Sequence, residues 1–185
     1  MLRRVILAAL LSTLACDGFP LTRDVRVQKL DTVASALDRD PDAKVLEFTA
    51  IPRPDLLGSK SWAVRGGHRA SSQSTPRTAV MIPLVDASWT PDQPIAVWVR
   101  LDARTDDPKS PAMQTEIDAL LDAAKAGPLR VNATQTLPED VDMDGTNAFT
   151  IGAKRAMAQH GLMSPTGAVL ATWPAKTKGS VRLAD

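Results

Sequence analysis

The chain has 185 residues and a formal net charge of +1, and its hydrophobic and charged fractions of 44% and 23% are those of an ordinary globular protein. The length predicts one domain. The near-neutral charge argues against a nucleic-acid partner, which requires a basic face. Four Trp, three Phe and no Tyr also argue against a ring platform that stacks on sugars or bases.

The first residues have the layout of a secretory signal. Arg3 and Arg4 form a cationic head, residues 5–11 are apolar, and Ala15 and Cys16 provide small residues before Asp17. The apolar stretch over residues 5–15 is too short to span a bilayer, which takes about 20 apolar residues. We therefore expect residues 1–15 to be a signal peptide.

Cys16 is the only cysteine, so an intramolecular disulfide is excluded. The run Thr13-Leu14-Ala15-Cys16 resembles the lipobox of bacterial lipoproteins. That resemblance implies cleavage before Cys16 and acylation of its thiol, and two acyl chains would anchor the chain stably. Asp17 resembles the signal that retains lipoproteins on the inner membrane of enteric bacteria. Ordinary cleavage after Ala15, without lipid, stays open as an alternative.

Removal of residues 1–15 takes away two arginines, so 20 Lys and Arg face 21 Asp and Glu and the net charge becomes −1. The expected division is a signal peptide over 1–15, a lipidated tether over 16–21, one globular domain over 22–175 and a polar tail over 176–185. The expected location is the bacterial cell envelope, lipid-anchored (palmitate or a similar acyl chain) and facing the periplasm.

Hydrophobic periodicity and end signals predict helices and strands in chain order. Pro111–Ala126 has the clearest signals, because Ser110 can cap it, Pro111 suits the first helical position and Gly127 can close it. The predicted helices are 22–39, Pro111–Ala126 and 147–160, and the predicted strands are 44–51, 61–65, 78–85, 95–102, 129–136 and 167–173, with a long loop over 66–76.

These elements predict an α+β fold. About five mostly antiparallel strands, largely in a meander, would be packed on one face by two or three helices. A small OB-like barrel with added helices is the alternative that the element order leaves open.

Asp140, Asp142 and Asp144 alternate along the chain and precede Gly145, as in the first half of an EF-hand calcium loop. Alternate carboxylates can converge on one Ca²⁺ ion. Ile151 stands where the twelfth-position glutamate belongs, so a complete EF-hand is excluded. A looser calcium turn and an acidic turn that caps the next helix are both left open.

The two histidines give little sign of catalysis. Without an available cysteine they argue against a structural zinc site, and no Gly-x-Ser-x-Gly nucleophile motif accompanies them. His68 lies in a glycine-bearing loop, near Arg65, Arg69 and Arg77, which can bind an anion or a phospholipid headgroup. His160 falls in the last turn of a predicted helix, where an imidazolium interacts favourably with the dipole.

These features favour a non-catalytic lipoprotein domain that binds proteins, as an accessory or assembly subunit of a membrane complex. An envelope hydrolase that uses His68 is the second hypothesis. A binding module stabilised by Ca²⁺ through Asp140, Asp142 and Asp144 is the third.

Overall fold

The computed structural model describes residues 25–65, 74–140 and 147–175. These residues form eight strands, two α-helices and two short 3-10 turns, which confirms the α+β class. The strands are β1 (Val27–Lys29), β2 (Val45–Phe48), β3 (Ile51–Pro52), β4 (Gly58–Arg65), β5 (Ser74–Val85), β6 (Val97–Ala103), β7 (Leu129–Thr136) and β8 (Val169–Thr172); the helices are α1 (Pro111–Ala126) and α2 (Ala148–His160); the 3-10 turns are Ala34–Asp38 and Pro54–Leu56.

All eight strands belong to one open, mixed sheet in the order β1-β2-β7-β8-β6-β5-β3, and β4 pairs with β5 on the same side as β3. The barrel alternative is therefore wrong. Two neighbouring pairs, β1 with β2 and β6 with β8, are parallel, and the other pairs are antiparallel. The sheet has more strands than the predicted five, and it is not a simple meander, because β8 inserts between β6 and β7.

The predicted helix over residues 22–39 is wrong where the structure describes it. Residues 27–29 form β1 and only Ala34–Asp38 makes a 3-10 turn. The Leu30 amide donates to the Glu47 carbonyl at 2.9 Å, and the Val33 amide donates to Asp86 Oδ1 at 2.9 Å. Tertiary partners therefore take amides that a helix would have used, and sheet pairing overrides the local helical periodicity.

The helix α1 forms as its end signals predict, and α2 forms close to its predicted range, with Asn147 as its N-cap in place of a residue of the preceding acidic turn. Ser110 Oγ accepts from the Met113 amide at the start of α1, and Pro111 occupies its first turn. Asn147 caps α2 by accepting from the Phe149 and Thr150 amides. Gly161 ends α2 with a left-handed φ of 65°, a conformation that glycine adopts without a steric penalty.

The helices lie on opposite faces of the sheet, which corrects the prediction that they share one face. Alternate residues of β5 and β6 point to opposite sides, and each side has its own buried cluster. Met113, Ile117 and Leu120 of α1 pack on the cluster that contains Val80, Ile82, Leu84, Val97 and Val99. Phe149, Ala153 and Ala156 of α2 pack on the cluster that contains Met81, Trp98 and Leu170. Both faces of β6 are therefore covered.

Two glycines allow α2 to lie directly on the edge strand. A Cβ atom built on Gly58 would overlap the Gly152 carbonyl oxygen and would lie 2.6 Å from the Ala156 amide nitrogen. A Cβ atom on Gly152 would lie 2.6 Å from Met81 Cγ. The backbones of β4 and α2 therefore approach more closely than any side chain permits.

Candidate functional site

The structure describes only some of the residues that the sequence proposes as sites. Cys16, His68, Asp142 and Asp144 lie outside the described residues. Asp140 is exposed at the end of the described segment 74–140. Within the described ranges, no group of three or more His, Cys, Asp or Glu residues is arranged to hold a metal ion.

His160 lies at the end of α2, beside a groove of about 330 Å³. Its Nε2 atom is buried and has no hydrogen-bond partner within the described structure. Pro54, Asp55, Leu57, Ser59, Pro108, Lys109 and Gln159 complete the lining. The groove is shallow and of mixed charge, so it offers a small polar recess and not an enclosed chamber for a substrate.

Asp55, on the rim of this groove, is held by Arg53. Arg53 Nε donates to Asp55 Oδ1 at 2.9 Å and Nη2 donates to Oδ2 at 2.6 Å, while the guanidinium carbon lies 5.5 Å from the Trp89 ring centre. The hydrogen bonds from Arg53 lower the pKa of Asp55 below its ordinary value, and they raise the pKa of Arg53.

We expect Arg53→Met to return the pKa of Asp55 toward its ordinary value, because methionine keeps the apolar stem and removes both hydrogen bonds. The folded pKa is lower than the unfolded pKa, so the pair stabilises the fold above the ordinary pKa. That contribution is lost as the pH falls through the folded value. NMR titration of the side-chain carboxyl carbon measures the shift. An unchanged Asp55 midpoint in the variant would contradict this assignment, and Asp92, whose pKa is lowered by Thr90, serves as the internal control.

The most distinctive surface is a two-stranded arm. β4 pairs with β5 along its whole length, from Gly58 opposite Met81 to Arg65 opposite Ser74. β6 pairs with β5 only from Thr78 onward. Residues 62–65 and 74–77 therefore extend past β6 as a two-stranded hairpin, which we call the β4–β5 arm.

The β4–β5 arm belongs to a stretch of sequence in which every formally charged side chain is basic. Between Asp55 and Asp86 the sequence contains Lys60, Arg65, Arg69 and Arg77 and not a single Asp or Glu. The whole chain has 21 acidic residues, so their absence from this stretch is a local feature and not a property of the composition. Within the described residues, neither Lys60 nor Arg77 takes part in a salt bridge. The arm itself therefore contributes cations and no carboxylate, while acidic residues of neighbouring segments lie at its base, with Asp102 opposite Ala79 and the Asp106 carbonyl accepting from Ser61 Oγ.

Apolar and aromatic groups accompany these charges. The Val64 side chain is 43% exposed, and Trp62 is half-buried at the base of the arm. The Arg100 guanidinium lies 5.5 Å from the Trp62 ring centre and 4.6 Å from that of Phe149, and it also pairs with Asp102 at 2.7 Å. These cation–π contacts connect the arm to β6 and α2, which orients the Trp62 ring.

The outer edge of β4 is only partly covered. Arg155 of α2 donates from Nη1 to the Ser59 carbonyl at 2.9 Å, which satisfies one backbone acceptor at the start of the strand. From Ser61 onward, the described part of the chain places no further strand beside β4. Edge strands are places where another chain can pair, and proteins usually protect them.

The sequence predicted part of this surface. It placed a strand over 61–65 and named Arg65 and Arg77 as candidate anion contacts, but it assigned residues 66–76 to a loop. Residues 74–76 instead form the start of β5. The lack of Asp and Glu between Asp55 and Asp86 is visible in the sequence. The exposed edge of β4 is not, because it depends on which strands pair in the sheet.

Comparison with protein-family models, with curated proteins and with solved structures gives no match. In the three described segments, neither α-helix combines the length and apolar character needed to cross a membrane. The candidate site therefore rests on the geometry and charge of the β4–β5 arm.

Proposed function

We propose that this chain is a lipid-anchored envelope protein whose non-catalytic domain binds a protein partner through the free edge of β4. The single observation that carries the binding role is the β4–β5 arm, which combines a strand edge that no described strand covers, an exposed apolar side chain and cations with no carboxylate of its own. The lipobox-like sequence before Cys16 supports the anchored location.

The sheet order favours a protein over the supporting membrane as the ligand of this edge. The described chain enters the sheet at β1, which is the edge strand farthest from β4. Six strand spacings separate these two edges, about 29 Å at 4.8 Å each. The anchor would thus attach at one edge of the domain and leave the opposite edge to a partner.

Anchoring and binding are tested separately in the native bacterium. The intact mass of the purified mature protein should correspond to a chain that begins at Cys16 and carries acyl chains, and Cys16→Ser should leave the membrane fraction. An unacylated chain that begins at another residue would refute the anchored location.

For binding, a photo-crosslinking residue at Val64 should give one discrete adduct. The same residue at Leu37, which is also exposed but lies on the first 3-10 turn, should not give that adduct. Equal adducts from both positions would refute binding at the β4 edge.

A further inference from the structure

We infer that the β4–β5 arm binds an extended acidic segment of the partner, which adds to the sheet as a new strand beside Ser61–Arg65. This inference rests on the proposed binding role and specifies the chemistry of the ligand. It joins two independent features of the arm, namely the open backbone edge and the uniform sign of its charge.

The backbone supplies the first part of the recognition. An extended peptide that pairs with an exposed strand gains main-chain hydrogen bonds, and the alternate side chains decide which peptide fits. Arg155 binds the Ser59 carbonyl, so it limits pairing to the residues that follow. The available edge is therefore the outer half of β4, where the strand passes beyond β6.

The side chains of β4 supply the second part. Successive side chains in a strand point to opposite faces, and Gly58 faces α2, so Lys60, Trp62 and Val64 lie on that same face. Ser61 and Ala63 lie on the other face and are small. An incoming strand would thus lie beside Lys60, Trp62 and Val64 on the face of the sheet that carries α2. On the opposite face it would lie beside small side chains only.

The charge of the arm decides the sign of the ligand. Lys60 and Arg77 lie on β4 and on β5, two positions apart in register, because Lys60 is opposite Ala79 and Trp62 is opposite Arg77. A carboxylate on the peptide could face Lys60 directly, since cross-strand neighbours are about 5 Å apart. Arg77 lies on β5, one strand further from the peptide and about 10 Å from it, and adds to the positive potential that the peptide meets. A basic segment would meet like charges, which disfavours pairing. Lysine on an edge strand also protects against aggregation, because an uncharged strand that paired there would bury the charge of the lysine. An acidic strand would instead neutralise that charge.

The test uses the folded chain with its N-terminal signal removed and a fluorescent decapeptide, Glu-Ser-Val-Ser-Glu-Ser-Val-Ser-Glu-Ser, in which Glu and Val alternate on one face of the extended strand. We expect the acidic peptide to bind about tenfold more tightly than the same peptide with Lys in place of Glu, because the sign of the charge reverses at both cations. Hydrogen exchange should slow at the amides of residues 61–65 when the acidic peptide is present. The double variant Lys60→Glu, Arg77→Glu should lose the preference for the acidic peptide.

Two controls separate strand addition from simple charge attraction. Lys125→Glu changes the same charge on α1, on the other face of the sheet, and should leave binding unchanged. An acidic peptide that is N-methylated at every residue should lose binding, because neither of its edges can donate backbone hydrogen bonds. Equal binding of the methylated peptide would overturn strand addition in favour of simple charge attraction.

Binding of the arm to anionic vesicles, with no binding of either peptide, would overturn the inference in favour of a lipid surface. If the crosslink at Val64 persists while the acidic peptide fails to bind, only this inference falls and the proposed partner binding stands. If the crosslink also fails, the proposed binding role falls with it. Circular dichroism of each variant verifies that the chain is folded.

Discussion

Replacing Gly58 by alanine is expected to lower the free energy of unfolding by about 3 kcal/mol, at the upper end of the usual range for overpacking. The added Cβ atom would overlap the Gly152 carbonyl oxygen and crowd the Ala156 amide nitrogen. Both are backbone atoms of α2, so no side-chain rotation can relieve the contact, and the helix must move away from β4. Urea denaturation followed by circular dichroism measures the loss.

Two variants serve as controls for that result. Ser59→Ala removes only a hydroxyl from the next residue of β4 and should change stability little. Gly152→Ala places its Cβ 2.6 Å from Cγ of the buried Met81 side chain, which can move by a rotamer change, and it gains helix propensity of about 1 kcal/mol. Its net loss should therefore be smaller than that of Gly58→Ala, whose contacts are with backbone atoms. If the two glycine variants lose the same free energy of unfolding, the contact between the backbones of β4 and α2 is not the source of the effect of Gly58→Ala.

Trp98→Ala is expected to cost about 4 kcal/mol, because it removes a large, fully buried side chain from the cluster beneath α2. The indole Nε1–H also donates to Ser164 Oγ at 3.1 Å, and Ser164 in turn donates to the Ile95 carbonyl at 2.6 Å. The substitution therefore leaves a cavity and removes one partner from a partly buried hydrogen-bond chain. Thermal and urea unfolding should both register the change.

Trp89→Ala is the matched comparison. Trp89 is only half-buried and donates from Nε1 to the Gln93 carbonyl at 3.1 Å within the loop that connects β5 to β6. Its removal should cost far less than that of Trp98, because water can replace the lost contacts. If the two tryptophan variants lose the same stability, burial of Trp98 is not the source of its effect.

The elements that the sequence predicted well are those whose signals are local. The bounds of α1 follow from Ser110, Pro111 and Gly127, and the buried runs of β5 and β6 follow from their β-branched and apolar content. Residues 27–37 misled the prediction, because their apolar spacing is helical although Leu30 and Val33 donate their amides to distant acceptors. Such partners are invisible to a local pattern.

The same distinction holds for the candidate site. The positive stretch from Lys60 to Arg77 is a property of the sequence and needs no fold. The open edge, by contrast, depends on β8 and β7 lying on the far side of β6, which leaves β4 outermost. Strand order is set by contacts between residues far apart in the chain, and single-sequence periodicity does not contain it.

The place of β8 has a consequence for how the protein is made. This strand is the last element in the described chain, yet it lies between β6 and β7 and its residues Val169, Leu170 and Ala171 are fully buried. While a ribosome or a translocation channel still holds residue 170, the sheet exists only as two separate halves with their central edges open. The sheet therefore stays incomplete until residue 172 has emerged, and a chain truncated before β8 would lack the strand that joins the two halves.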